Sequence, residues 1–426
     1  MAVLYYFPEP ETLYECVGLK FRLLSIVCCN GFFEHGGRFF INKWTRIYSL
    51  FCACLAVLGL SGAIYALLQN ELLRKRVLRV DKLVLSIIGL EVVISTLVFI
   101  ITVISLQACA HNHLSIYKRL AAIDRSLIDD FGVNLRYAKL MRKNIIVLTS
   151  VSILYLASVN TVMVCLAKGH NFGLMVSAAL CYTVITGGPH LTGYAHMILA
   201  ELLSIRFRLV QKILKPRLLY RQFGQDQLME RRMRTLVNMV KELYYIIQKI
   251  NEVYSLSLWS AMAHDFTLST CELFIIFGRS VGNSNISTNT NNSSSNDSED
   301  NLGFMLLASL SVCMLVPFYK MLIGPVYCNK SVEEGRKCLQ LLEQLDNWFP
   351  GRPAMKQLVE SMMRWRLQFK IEFTSGTGTV LNKTIITLYT SIVCNYLLVL
   401  ISFAMTQKLG EQVEQQKVAL QDWIGF

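Results

Sequence analysis

Charge is scarce in this sequence. Only 17% of its 426 residues are Asp, Glu, Lys or Arg, against 53% hydrophobic ones, and the mean hydropathy is +0.42. A soluble domain of this length needs more polar surface than that, so the composition points to several membrane spans. Metal-binding and disulfide patterns are missing too. Thirteen cysteines are scattered, several inside apolar runs (Cys52, Cys54, Cys165, Cys181, Cys394), with no CxxC pair and no CxxC…HxxxH spacing. Neither a disulfide framework nor a zinc site is therefore expected. Enzyme signatures are also lacking: there is no HExxH, P-loop, GxSxG or strand–helix GxGxxG. No cleavable signal peptide is expected, because the first apolar run long enough to insert starts at Ile47 and acts as its own insertion signal.

What is present is a series of apolar runs. Seven spans are predicted: Ile47–Leu68, Leu83–Leu106, Ile145–Ala167, Phe172–Leu199, Tyr254–Phe277, Leu302–Val326 and Thr384–Met405. The last has 22 residues and no charge, a helix of roughly 33 Å, which is enough to cross the hydrocarbon core. The fourth contains Gly187-Gly188-Pro189, which predicts a kink. The fifth holds His264, Asp265 and Glu272, and the sixth Pro317 and Lys320.

The net charge of +13 does not read as nucleic-acid binding, because Lys and Arg fall mainly between the spans. The N-terminal segment and the loops after spans two, four and six carry 32 of them, and the opposite side carries 9. The positive-inside rule then sets the N-terminus in the cytosol and the C-terminus outside. The basic first loop (Arg74, Lys75, Arg76, Arg79, Lys82) is an exception. After span five, residues 282–301 form an Asn/Ser-rich polar run without Lys or Arg, with sequons at Asn285, Asn291, Asn292 and Asn296. Glycosylation there requires the outer side, in agreement with the charge count.

The long cytosolic loops carry helical stripes. Leu236, Val240, Leu243, Ile247 and Ile250 repeat every three or four residues, as do Met355, Leu358, Met362, Trp365 and Phe369, and Cys338, Leu341 and Leu345. Three such faces predict a packed helical bundle beneath the bilayer. The fold class is an all-α membrane protein with seven transmembrane helices and cytosolic helical extensions forming an anchor.

The intramembrane polar residues suggest a site. Glu91 lies about 12 Å below the outer surface, and Glu272, Ser158, Asn160 and Thr161 sit at similar depth, with Tyr182 and Thr183 nearer the middle. Polar groups from four spans in the outer half suggest a water-accessible pocket open to the outside. Interhelical hydrogen bonding is the plainer explanation for any one of them. Span histidines offer one other constellation, His264-Asp265 beside His190, which a metal-dependent membrane hydrolase would use. Satisfied polar residues at helix contacts are the favoured explanation of that cluster. A transporter would favour an inverted repeat, and the two halves show no similarity.

Near the C-terminus, Asn395-Tyr396-Leu397-Leu398-Val399-Leu400-Ile401-Ser402-Phe403 resembles the TYhhhhhQF signature in the last span of insect gustatory receptors, with Asn395 in place of Thr and Ser402 in place of Gln. Glu334-Gly335-Arg336-Lys337, Phe373-Thr374-Ser375-Gly376 and Asn382 to Thr387 resemble that family's pre-pore segments. The resemblance implies a tetrameric, tastant-gated cation channel, homomeric or mixed with related receptors, in the plasma membrane of sensory-neuron dendrites. It implies no cofactor and no nucleic-acid partner. Carried over by motif position, Phe403 is the constriction, and Ser402, Val399 and Asn395 line the pore. A bitter ligand is expected rather than a sugar.

The implied organisation is a cytosolic N-terminus (1–46) and a six-helix ligand-sensing region (47–326). The latter has cytosolic helical loops at 107–144 and 200–253 and an extracellular loop at 279–301. Cytosolic anchor helices (327–383), a pore-lining span (384–405) and an extracellular tail (406–426) follow.

Overall fold

The structure is a computed structural model that describes residues 10, 12–35, 38–69, 82–167, 172–215, 229–286, 297–349, 351–376 and 378–424. The chain runs α1 (Leu13–Ile26), β1 (Phe33–His35), β2 (Arg38–Phe40), α2 (Lys43–Gln69), α3 (Lys82–Ala108), α4 (Ala110–Asp129) and α5 (Tyr137–Ala167). It continues with α6 (Phe172–Ile213), α7 (Met229–Ile286), α8 (Asp297–Glu343), α9 (Leu345–Trp348), α10 (Pro353–Gln368) and α11 (Thr384–Ile424). The seven predicted spans fall on α2, α3, α5, α6, α7, α8 and α11. Among the described residues, five of these helices are long and apolar enough to cross a membrane: α2, α3, α5, α6 and α11. Arg74, Lys75, Arg76 and Arg79 of the basic first loop, the 216–228 stretch and Asn291, Asn292 and Asn296 lie outside the described residues, as do the side chains of Lys82 and Asn285.

The span helices do not stop where their apolar runs stop. Helix α6 has 42 residues, α7 58 and α8 47, each passing from its apolar run into an amphipathic extension. Helical geometry persists because the extensions bury one stripe against one another, and tertiary packing supplies most helical stability. Leu236, Val240, Leu243, Ile247 and Ile250 are all buried, as are Cys338, Leu345, Met355 and Met362, with Leu341, Leu358 and Trp365 packed against that core. Close approach is needed where these helices cross: a Cβ on Gly335 would meet the Phe207 ring at 3.3 Å, and the Gly335 carbonyl accepts from Tyr244 Oη at 2.9 Å.

Helix α6 carries through Gly187-Gly188-Pro189. What this triplet provides is proximity. A Cβ on Gly188 would lie 2.8 Å from Cys29 Sγ and 3.0 Å from the Phe99 ring, so only Gly lets α6 press against α3 there.

The first 46 residues hold more structure than their mixed sequence predicts. Thr12 caps α1 by accepting from the Glu15 N–H at 3.4 Å. Strands β1 and β2 pair antiparallel, Phe33 opposite Phe40 and His35 opposite Arg38. Phe21, Phe32 and Phe39 from this segment stack edge-on or tilted around Tyr117 and His113 of α4. The signal was the aromatic content itself; what it lacks is a helical or alternating period long enough to assign.

Candidate functional site

Three helices each present polar side chains at helical spacing. Glu91 and Ser95 are four apart on α3. Tyr182, Thr186 and His190 are each four apart on α6. Asp265, Ser269 and Glu272 follow at four and three on α7. Each set shares one face, so packing the three helices together brings them to a common seam.

They meet in two tiers. In one, Tyr182 donates to Glu91, and Glu272 lies within electrostatic reach of Glu91. Glu272 is 4% exposed, and its Oε2 has no hydrogen-bond partner among the described residues. In the other, Lys320 of α8 pairs with Asp265 at 2.6 Å and reaches His190 Nδ1 at 3.2 Å. His190 also lies 3.8 Å from Asp265, and His264 contacts Ser95 Oγ at 2.8 Å. Tyr155 of α5 closes this tier, donating to Thr186 and meeting the His190 ring edge-on. Asp265 is fully buried and Lys320 9% exposed. A charge in hydrocarbon is costly unless paired, and here each member has its opposite in contact. Seven residues separate Asp265 from Glu272, so the tiers stand about 10 Å apart along α7.

The histidine pair raised by the sequence is therefore real in space: His190 and His264 have ring centroids 5.9 Å apart with Asp265 between them. The ammonium of Lys320, however, occupies the carboxylate's side, which is the charge arrangement of an ion pair rather than of a cation site. Among the described residues, no three His, Cys, Asp or Glu side chains converge as metal ligands. The described cysteines are free.

The other sequence-predicted pocket residues divide. Glu91, Tyr182 and Glu272 are brought together. Ser158 and Thr161 instead donate to carbonyls of their own helix, Leu154 and Ala157, each at 2.8 Å, and make no described contact with the seam. Asn160's side chain lies outside the described residues. A cleft lies elsewhere, lined by Cys16, Lys20, Asn144 and Ile198 among others. Sequence reasoning missed Ser95, Tyr155, Thr186 and Tyr389, and gave Lys320 no role. The i, i+4 spacing from Glu91 and from Tyr182 would have found Ser95 and Thr186.

Helix α11 leans against the bundle through part of one face. Leu397 and Leu400 pack on Cys271, Phe274 and Ile275 of α7, and Tyr389 and Val393 sit with Met321. The face bearing Asn395, Val399, Ser402 and Phe403 points away from the chain, with Val399 65% and Phe403 59% exposed. Of residues 384–403 only Ile385, Tyr389 and Val393 are buried, a far smaller share than in the apolar segment of α6. Just before α11, the segment around Phe373 clasps α7: Asn251 donates to the Glu372 carbonyl at 2.8 Å and Gly376 N–H to the Ser255 carbonyl at 3.0 Å.

The family model of the 7tm chemosensory receptors matches residues 16–407. The Drosophila melanogaster protein "Putative gustatory receptor 57a" is 51% identical over 426 residues, covering 100% of both chains. Its counterpart 47b is 23% identical over 378 residues, 88% of this chain and 86% of that one. Among solved structures, the insect olfactory receptor OR5 from Machilis hrabei in complex with eugenol has a TM-score of 0.58 at 12% identity. That match covers 92% of this chain and 99% of that one. The OR5 structure solved without a named ligand gives 0.56 at 10% identity. At such identity the likeness concerns the fold.

Proposed function

The chain belongs to the 7tm chemosensory receptor family, and from that premise we propose that it is a gustatory receptor that works as a tastant-gated, non-selective cation channel. The family is non-enzymatic, which sets aside the hydrolase reading of His190 and His264. Seven helices cross the plasma membrane of a chemosensory neuron at its dendrite, with the N-terminus in the cytosol. Four chains, identical or mixed with related receptors, assemble around α11. The single observation that carries the pore reading is that the signature face of α11 is unburied within its own chain. A helix this apolar with a polar-plus-aromatic stripe needs neighbours on that side, and copies of itself around an axis satisfy Asn395 and Ser402 together. Phe403 then narrows the path, and a ring of such side chains bars ions by dewetting.

The tastant binds at the Glu91–Tyr182–Glu272 tier, in the outer half of the spans. An unpartnered, buried carboxylate favours a ligand that brings a positive charge or a hydrogen-bond donor, which supports bitter amines over neutral sugars. Binding shifts the channel toward a conformation in which the constriction dilates. Glycans on the loop after α7 mark the outer face.

The test is expression in an electrically silent cell, alone and with related receptors, against a panel of bitter amines and sugars. A cation current evoked by an amine and reduced in Glu272→Gln is expected. Currents evoked by sugars alone, or amine responses indifferent to both Glu91→Gln and Glu272→Gln, would reject this ligand assignment.

A further inference from the structure

Tyr389 is 7% exposed on a helix that is otherwise little buried in its own chain. Its hydroxyl donates to the backbone carbonyl of Asp265 at 3.0 Å and accepts from the Ser269 hydroxyl at 2.8 Å. Its ring stands edge-on to Phe266 of α7 and Phe318 of α8, and it packs with Met321. The α11 helix is thus held in a socket built from α7 and α8. The residue it reads, Asp265, is the one to which Lys320 of α8 is paired and toward which His190 of α6 and His264 of α7 turn, His264 being tied in turn to Ser95 of α3. Five helices therefore meet at Asp265, four of them belonging to the sensing bundle and the fifth being α11.

We propose that Asp265 is the junction through which the sensing helices hold and move α11, with Lys320 setting the position of α8 and Tyr389 seating α11 against α7. The proposal rests on the reading of α11 as the pore helix. Its physical basis is that the contacts are short-range and buried. A shift of α8 relative to α7 stretches the 2.6 Å pair between Lys320 and Asp265, whose only alternative in hydrocarbon is an uncompensated charge. The Phe318 and Met321 side chains, two and one positions from Lys320 along α8, move with it and carry the Tyr389 ring. From Tyr389 to Phe403 is 14 residues of one helix, about 21 Å, so a small tilt at the socket becomes a larger displacement at the constriction. Tyr389 is a positioning residue: it touches neither the ligand nor the ions.

The experiment uses the full chain on the cell surface without agonist. Ser402→Cys is introduced, and its modification by a charged, membrane-impermeant methanethiosulfonate is timed against the parent, together with the resting cation current. Tyr389→Phe and Lys320→Met are added singly and together. Losing one buried hydrogen bond should raise both the modification rate and the resting current about 3- to 10-fold, and the double variant should exceed the larger single effect little, because both act on one junction. Ser269→Ala, which leaves the tyrosine ring in its socket, should move both readouts in the same direction and decides the matter if Tyr389→Phe does not reach the surface. Unchanged rates and currents in Tyr389→Phe or Ser269→Ala, with the current still blocked by reagent at Ser402→Cys, overturn the junction and leave the pore intact. A current that no reagent at Ser402→Cys affects instead removes the pore assignment beneath it.

Discussion

Arg206 of α6 meets Asp124 of α4 through two parallel contacts, Nε to Oδ1 at 2.9 Å and a terminal nitrogen to Oδ2 at 2.6 Å, inside the helical bundle beneath the apolar spans. Tyr137 of α5 donates to the same Oδ2 at 2.6 Å, and the guanidinium and carboxylate are 1% and 3% exposed. Three helices are fastened at one buried carboxylate. Asp124→Ala leaves the guanidinium uncompensated and should destabilise the protein by about 3–5 kcal/mol, whereas Tyr137→Phe should cost about 1 kcal/mol. Thermal unfolding of the purified protein in detergent measures both; equal losses for the two variants would show that the ion pair adds nothing beyond the hydrogen bond.

A second buried cation behaves in the opposite sense. Lys20 of α1 has no carboxylate among its described contacts: its ammonium donates to Tyr117 Oη at 2.7 Å and lies over the Phe21 and Tyr117 rings. Burial pushes Lys20 down to about 7, and burial together with the nearby Lys20 pushes His113 down to about 3. Between pH 7 and its ordinary value near 10.5, the unfolded chain holds a proton on Lys20 that the folded chain does not, so stability should rise with pH across that window. His113 acts likewise between 6.5 and about 3, where stability should fall as the solution is acidified. Melting temperatures of the wild-type protein and Lys20→Met at pH 6 and pH 9 separate the two groups. The variant should be the more stable at pH 6, and its gain from pH 6 to 9 should be the smaller.

Gly188 is tested by size alone. Its missing Cβ is what lets Cys29 Sγ and the Phe99 ring approach α6. Gly188→Ala should cost about 1–3 kcal/mol by overpacking, outweighing the helix propensity that Ala adds. Gly62 has nothing within 4 Å of an added Cβ, so Gly62→Ala is the control and should be neutral or stabilising. Surface expression and thermal stability of the two variants report the difference.

Ser402 departs from the Gln of the family signature and sits on the exposed face of α11 beside Phe403. A Gln offers two donors and an acceptor on a longer arm, a Ser one hydroxyl on a short one. Ser402→Gln should alter unitary conductance or cation selectivity in patch recordings. Unaltered permeation would take residue 402 out of the conducting path.

Much of the architecture could be read before any coordinates. The apolar runs, the helical stripes of the extensions and the signature from Asn395 to Phe403 are local patterns, and local patterns survive without knowing which helix lies beside which. The candidate site was legible only in part. Depth along each span grouped Glu91, Tyr182 and Glu272 with Ser158 and Thr161; Tyr182 does meet Glu91, whereas Ser158 and Thr161 bond to their own helix. Depth says how far down a residue lies and nothing about which way it faces. The N-terminal helix and hairpin were missed because half of the core they pack around, Tyr117 and His113, comes from α4, far along the chain.

By itself the sequence determined an all-α protein with membrane-crossing helices, the stripes that bury its extensions, and the polar residues available within the spans. These follow from composition and period, which bind each residue to its neighbours along the chain. Only the tertiary structure decided that Lys320 is the partner of Asp265, that His190 and His264 flank that pair, and that Tyr389 fastens α11 to it. Those relationships depend on the rotation and register of helices separated by tens of residues. The cost of leaving a charge unpaired in hydrocarbon demands some partner for Asp265, but only the packing of α6, α7, α8 and α11 selects which one.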